Sequence, residues 1–279
     1  MVSYRQGAVG RRADDIASVG VWVVDEMKSR QFTAITIVKN PWLSDRPETT
    51  HPFHFLKMSN KAKLYYYKAS GRANQIRLCL AAAGIDWEEV NPGGFPPAPE
   101  DVESWKNIGG NTTTNIPMLV MANGKVYCQS HAIIRAVGRA GGLMPRSDDG
   151  DSMYLLDKII ADAEDLRAAG YKSLTEFGAP QDAIDKYIDE ILPKHLANFE
   201  RQLTSNWFTG STMTVADCTA YDAIVAFGIS RVPDEIMDES KYPKLKSWIK
   251  RFEENEGIAK YHGSAVYDGL WKFARVSKK

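Results

Sequence analysis

The sequence has no surplus of charge: 35 lysines and arginines balance 35 aspartates and glutamates in 279 residues. Without a basic excess, a role that neutralises nucleic-acid phosphates has little support. Cysteine is scarce. Cys79, Cys128 and Cys218 make no C-x-x-C pair, and three thiols cannot form a fully paired disulfide framework. A reducing compartment, the cytoplasm, is the expected location. Long apolar runs are missing too. The stretch Ile16-A-S-V-G-V-W-V-V24 falls well short of the roughly 18 residues that a membrane span needs, and it follows Asp14 and Asp15. Acidic residues so near the start argue against a secretory signal, and against an organelle-transit segment despite Arg5, Arg11 and Arg12. No internal repeat stands out, and neither a metal nor a tightly bound cofactor is expected. What is present is ordinary globular composition, 44% hydrophobic and 25% charged, in a chain long enough for one or two domains.

Residues 1–60 read as an extension of unknown order. It holds a β-like piece, Phe32–Val38, and a breaker-rich run, Asn40–Pro52. From Lys63 the rhythm becomes regular. Leu64–Tyr67 reads as a strand, and Arg72–Ala83 as a helix with a glycine stop at Gly84. Ile85–Val90 gives a second strand, and a loop with Pro92, Gly93, Gly94, Pro96, Pro97 and Pro99 follows. Asn115–Cys128 reads as two strands joined at Ala122-N-G124, and Ser130 opens a helix that stops at Gly141-Gly142. The order β-α-β then β-β-α fits a thioredoxin-like α/β unit over 61–144. Beyond Pro145 the spacing is helical throughout: Met153–Ala169, Asp182–Leu203, Val215–Phe227 and Leu245–Asn255. An all-helical domain over 152–271 is therefore predicted.

Three short stretches carry chemistry. On a strand, Tyr65 and Tyr67 share one face and Tyr66 the other, and β-propensity alone accounts for three adjacent tyrosines. Yet Ser70-G-R72 immediately opens a helix, whose N-terminus carries partial positive charge. A phenol that titrates at about 10 is a hydrogen-bond donor near neutrality, suited to stabilising a thiolate. In Ile116-P-M-L119 a proline opens a strand; a trans bond is the statistical expectation, and a cis bond would offer the Ile116 main chain to an extended peptide. Gln129-S130 stands at a helix start, where it either binds a carboxylate or merely caps the helix.

Residues from about 61 to 271 resemble a glutathione S-transferase of the tyrosine type, most nearly the sigma class. The stretches that carry the resemblance are Tyr66-Y-K-A-S-G-R-A-N74, Trp105, Asn115-I-P-M-L119, Gln129-S-H-A-I133, Phe208-T-G-S-T-M-T-V-A-D217 and Tyr242-P-K-L-K-S-W-I249. It implies a homodimer that conjugates the thiolate of its co-substrate glutathione to hydrophobic electrophiles. Tyr66 would donate to the sulfur, with Arg72 strengthening the field. Ile116 would pair with the cysteinyl backbone, with Pro117 cis. Gln129 and Ser130 would hold the γ-glutamyl carboxylate. Trp105 would lie at the glycyl end, and Asp165 would reach the partner's γ-glutamyl amine. The acceptor would lie against Tyr67, Ser70 and Tyr171.

The chain departs from the family in places. Asn74 stands where an acid is usual after G-R-A, and Gly109-Gly110 where a glycyl-binding lysine is expected; Lys106 is the substitute at hand. His131 reads as a surface helix residue. Thr214-V-A-D217 has the form of a capping box, which assigns Asp217 to structure. Two other readings accompany the first: a sigma-type isomerase, in which the same thiolate opens a peroxide during prostaglandin isomerisation, and a non-catalytic structural or assembly module.

Overall fold

The computed structural model describes residues 61–91, 98–111, 113, 115–146, 150–237 and 240–278. The extension 1–60, with its β-like piece, and the loop residues 92–97 lie outside the described residues. A four-stranded sheet leads, with β1 (Ala62–Tyr65), β2 (Trp87–Val90), β3 (Met118–Val120) and β4 (Val126–Cys128) in the order β2-β1-β3-β4. β1 is parallel to β2, as the β-α-β reading requires, and antiparallel to β3; β3 and β4 are antiparallel, as the hairpin reading requires. Strand β1 ends at Tyr65, two residues before the predicted end. Tyr66 N–H still reaches the Val90 carbonyl of β2 at 3.2 Å, but beyond it the ladder stops, and the Tyr66 and Tyr67 rings meet edge to face at 5.4 Å instead of pointing apart.

Between β1 and β2 the chain turns once as a 3-10 helix, Gly71–Ala73, and continues as α1 (Asn74–Ala82). Every residue of α1 from Asn74 to Ala81 is buried. The reason is its position: α1 packs on α3 (Ser130–Ala140) from its own domain and on α7 (Val215–Ile224) and α9 (Glu256–His262) from the helical half. The helix stops as predicted. Gly84 takes φ +64°, Gly84 N–H reaches the Ala81 carbonyl at 3.1 Å, and Ile85 N–H reaches that of Leu80 at 3.0 Å. That is a Schellman ending, which glycine adopts without a Cβ penalty. Ile76, Leu78 and Leu80 are fully buried, each contributing roughly 2 kcal/mol.

A further helix, α2 (Pro99–Lys106), occupies part of the segment read as loop. The five prolines and glycines before it (Pro92, Gly93, Gly94, Pro96, Pro97) hide the helical pattern, yet Pro99 itself suits a first helical turn. The helical half comprises α4 (Gly150–Tyr171), α5 (Gln181–Lys186), α6 (Leu192–Gln202), α7, α8 (Pro243–Glu253), α9 and the short α10 (Ala265–Asp268). The predicted helix Asp182–Leu203 is continuous but passes through a π-helical turn, Tyr187–Ile191, just before Pro193. There Leu192 N–H bonds to Tyr187 O, one residue further back than in an α-helix. The wider turn relieves the clash that a proline ring makes with the preceding turn. A second π turn, Val225–Ile229, prolongs α7 and seats Phe227 against Gly170, where a Cβ would come within 2.2 Å of the ring.

A polar thread crosses the interface between sheet domain and helices. Asn74 Nδ2 donates to Asp222 Oδ1 at 2.7 Å, and Tyr261 Oη donates to Asn74 Oδ1 at 2.7 Å. Arg167 pairs with Asp222 at 2.8 Å. This explains the unusual asparagine: an amide can donate to one neighbour and accept from the other, whereas a second carboxylate would face Asp222. Asn74→Asp is expected to cost about 3 kcal/mol at neutral pH. The loss should shrink as pH falls, because the two carboxyls can then share a proton. Thermal melts at neutral and mildly acidic pH check this; an unchanged neutral Tm would contradict it.

Candidate functional site

Strand register brings three distant stretches to one end of the sheet. Tyr65 lies opposite Met118, and Met118 opposite Cys128. The neighbours of these residues, Tyr66, Pro117 and Gln129, therefore line up in a row at the strand ends. The Ile116–Pro117 bond is cis. Gln129 takes φ +69°, a left-handed conformation that a non-glycine residue adopts at a cost of order 1 kcal/mol. Immediately after it α3 begins at the buried Ser130, and the first helical N–H groups have no intrahelical acceptor. A strained residue leading into a helix N-terminus is an arrangement that receives an anion well.

At the other side of the row, the Tyr66 phenol oxygen accepts the main-chain N–H of Arg72 at 3.0 Å. The phenol's own proton is then the donor that remains. Gly71 makes the approach feasible: it sits at φ +38°, and a Cβ there would lie 2.5 Å from Tyr66 Oη. The loop between them is braced twice. From below, the fully buried Arg77 holds Glu89 through Nε at 2.9 Å and Nη2 at 2.8 Å, and donates Nη1 to Ala69 O at 2.8 Å. From the C-terminus, Trp271 N–H reaches Lys68 O at 3.0 Å and Trp271 O receives Ser70 N–H at 3.0 Å.

The Arg72 guanidinium turns to α4, where Nη2 meets Glu164 Oε1 at 2.7 Å. Oε2 of the same carboxylate faces His131 Nε2 at 3.4 Å and Arg167 Nε at 3.5 Å. Burial works to raise the Glu164 pKa, but the approach of His131, the hydrogen bond from Arg72 and the charges of Arg72 and Arg167 outweigh it and hold it at about 2. Its stabilising effect is therefore complete above the ordinary carboxylate range and is lost as pH falls through that range towards 2.

Two turns further along α4, Tyr171 packs among Phe177, Phe227 and Phe273 at ring separations of 6.4, 5.0 and 5.8 Å. Burial pushes its phenol up to about 12, so it stays protonated. Trp271 meets Phe273 edge to face at 5.3 Å while half of it remains exposed.

Two domain models match the chain. The glutathione S-transferase N-terminal domain covers residues 62–138, and the glutathione S-transferase C-terminal domain covers residues 164–265. Both domains of the glutathione S-transferase family are present. The class-mu 28 kDa isozyme of Schistosoma japonicum is 25% identical over 217 residues, 71% of this chain and 95% of that protein. Glutathione S-transferase P 1 of Xenopus laevis is 29% identical over 203 residues, 71% and 90% of the two chains. Among solved structures, the pi-class glutathione S-transferase of Onchocerca volvulus has a TM-score of 0.57 at 23% identity and covers 72% of this chain and 91% of that one, which speaks to fold alone.

Within this transferase architecture, the residues named from the sequence divide into two groups. Tyr66, Tyr67, Ser70, Arg72, Ile116, Pro117, Gln129 and Ser130 gather at the strand ends and the two helix starts that follow them. Others stand apart. Asp165 is exposed on α4 and does not join the row within one chain. Trp105 is buried at the end of α2, with its carbonyl accepting from Asn111 Nδ2 at 2.6 Å. Lys106 is exposed and pairs with Glu103 at 3.0 Å. His131, read as a surface helix residue, is part-exposed on α3, and its ring also turns to Glu164, a contact the sequence reading did not foresee. The sequence reading also missed Arg77 and the Trp271–Phe273 segment. Arg77 looks like one more solvated helix charge until α1 is seen to be buried on all sides. Trp271 and Phe273 lie beyond the periodic helices and carry no spacing signal.

Proposed function

We propose that the protein conjugates reduced glutathione to hydrophobic electrophiles. One observation carries the reading: the Tyr66 oxygen already accepts the Arg72 N–H at 3.0 Å, which leaves the phenol proton to donate to a sulfur. Donation to a thiolate favours ionisation of the bound thiol and delivers a nucleophile at neutral pH. In this reading Arg72 adds positive field, Ile116 pairs with the cysteinyl backbone beside the cis Pro117, and Gln129 with Ser130 holds the γ-glutamyl carboxylate. Trp105 and Lys106 serve the glycyl end. Asp165, exposed on α4, serves the site of a second copy in a homodimer, and the exposed Tyr154 and Leu155 on the same helix support such a contact. Tyr67, Ser70 and Tyr171 border the acceptor, and the aromatic set around Tyr171 favours an apolar one.

The relatives named above are of mu and pi type, so a sigma-type isomerase rests on the motif resemblance alone. A purely structural role would leave the phenol and the Gln-Ser pair without purpose. Retention on immobilised glutathione, then conjugation to an aryl halide, tests the proposal. A protein that neither binds the resin nor conjugates would overturn it.

A further inference from the structure

The charges behind Tyr66 do not settle into separate pairs. Arg72 and Arg167 face two carboxylates, Glu164 and Asp222. Asp222 is occupied by Arg167 at 2.8 Å and Asn74 at 2.7 Å. Glu164 is left between Arg72 from the 3-10 turn, Arg167 from its own helix and His131 from α3. His131 Nε2 and Glu164 Oε2 are both buried, neither makes a well-formed hydrogen bond to any group, and at 3.4 Å each is the other's nearby polar neighbour. The place of His131 is fixed from both sides. The strained Gln129 precedes it by two residues, and Arg135 Nη1 holds its carbonyl at 2.8 Å while Arg135 Nη2 holds Asp157.

We infer that His131 is a positioning residue for the sulfur end of the site: it shares the Glu164 carboxylate with Arg72, so that part of the Arg72 charge stays directed at the anion on Tyr66. This rests on the thiolate reading proposed above. A carboxylate held by one arginine cancels most of that arginine's field nearby. The same carboxylate drawn to a second donor on its other oxygen cancels less. His131 stands next to Ser130, so the same helix start that would hold the far end of the tripeptide also sets the charge at its sulfur.

The test uses the full chain and follows the ultraviolet absorbance of the bound mercaptide against pH, together with steady-state kinetics. His131→Ala is expected to raise the titration midpoint of the bound thiol by about 0.5 pH unit, which lowers turnover below that midpoint roughly threefold. The KM for glutathione should stay within about twofold, as for an interaction that acts in the chemical step. His131→Gln keeps a donor of similar reach and should restore most of the effect. In a Glu164→Gln background, His131→Ala should add nothing, as coupled neighbours require. If His131→Ala does not fold, His131→Asn, whose amide is too short to reach Glu164, gives the same comparison with His131→Gln. A midpoint unchanged in the shortened variants, while the wild type shows bound mercaptide, overturns this inference alone, and so does strict additivity with Glu164→Gln. No bound mercaptide in the wild type removes the proposed function and this inference with it.

Discussion

Tyr66→Phe is expected to lower turnover about 100-fold with glutathione and an aryl halide, the effect of removing one well-placed oxyanion donor. Affinity for glutathione should change little, because the phenylalanine ring fills the same space and only the O–H is lost. The Arg72 N–H that now ends on the phenol oxygen at 3.0 Å would lose its acceptor, but it lies at a part-exposed helix start where water can replace it. Arg77, over the Tyr66 ring at 5.9 Å, would keep the ring in place. Steady-state kinetics and the pH titration of the bound thiol measure the effect. A variant as active as wild type would show that the phenol has no part in the chemistry.

Asp217→Ala should be the most damaging single change to stability, with little effect on glutathione affinity. Asp217 is fully buried and accepts from Phe208 N–H at 3.0 Å, Thr214 N–H at 2.8 Å, Thr214 Oγ1 at 3.1 Å and Trp248 Nε1 at 3.1 Å. The capping box read from the sequence is thus one arm of a wider knot that ties α7 to α8 and to the preceding loop. Alanine would leave these donors buried and unsatisfied, at a cost of roughly 3–5 kcal/mol. In a chain of this size that lowers Tm by on the order of 10 °C.

The pH dependence of Asp217 has a definite sign. Burial pushes its carboxyl up to about 6, against the pull of its donors, so the folded state holds this proton more tightly than the unfolded chain does. The wild type should therefore gain stability from this group as pH falls from about 6 to about 4, and the alanine variant should lack that slope. Melting curves across that range test both statements. An alanine variant with the wild-type Tm would refute the structural assignment.

Much of the fold was legible because its signals are local. Gly84 stops α1, Ala122-N-G124 turns the hairpin, Thr214 and Asp217 open α7, and each works through its own backbone and nearest neighbours. The misses have equally physical causes. Tyr67 carries strand propensity, but the ladder stops before it, at Tyr66. Pro193 sits inside a helical pattern that survives through a π turn, and α2 hides among prolines.

The order of residues along the chain determined which chemical groups are available: a phenol before a helix start, a proline opening a strand, a Gln-Ser pair opening another helix. Only the tertiary structure decided which of them meet. Strand register set Tyr66, Pro117 and Gln129 in one row, and the packing of α4 against the 3-10 turn turned Arg72 and His131 onto a single carboxylate. Contacts between residues 33 and 92 positions apart depend on how whole elements pack, and no local pattern of side chains encodes that distance.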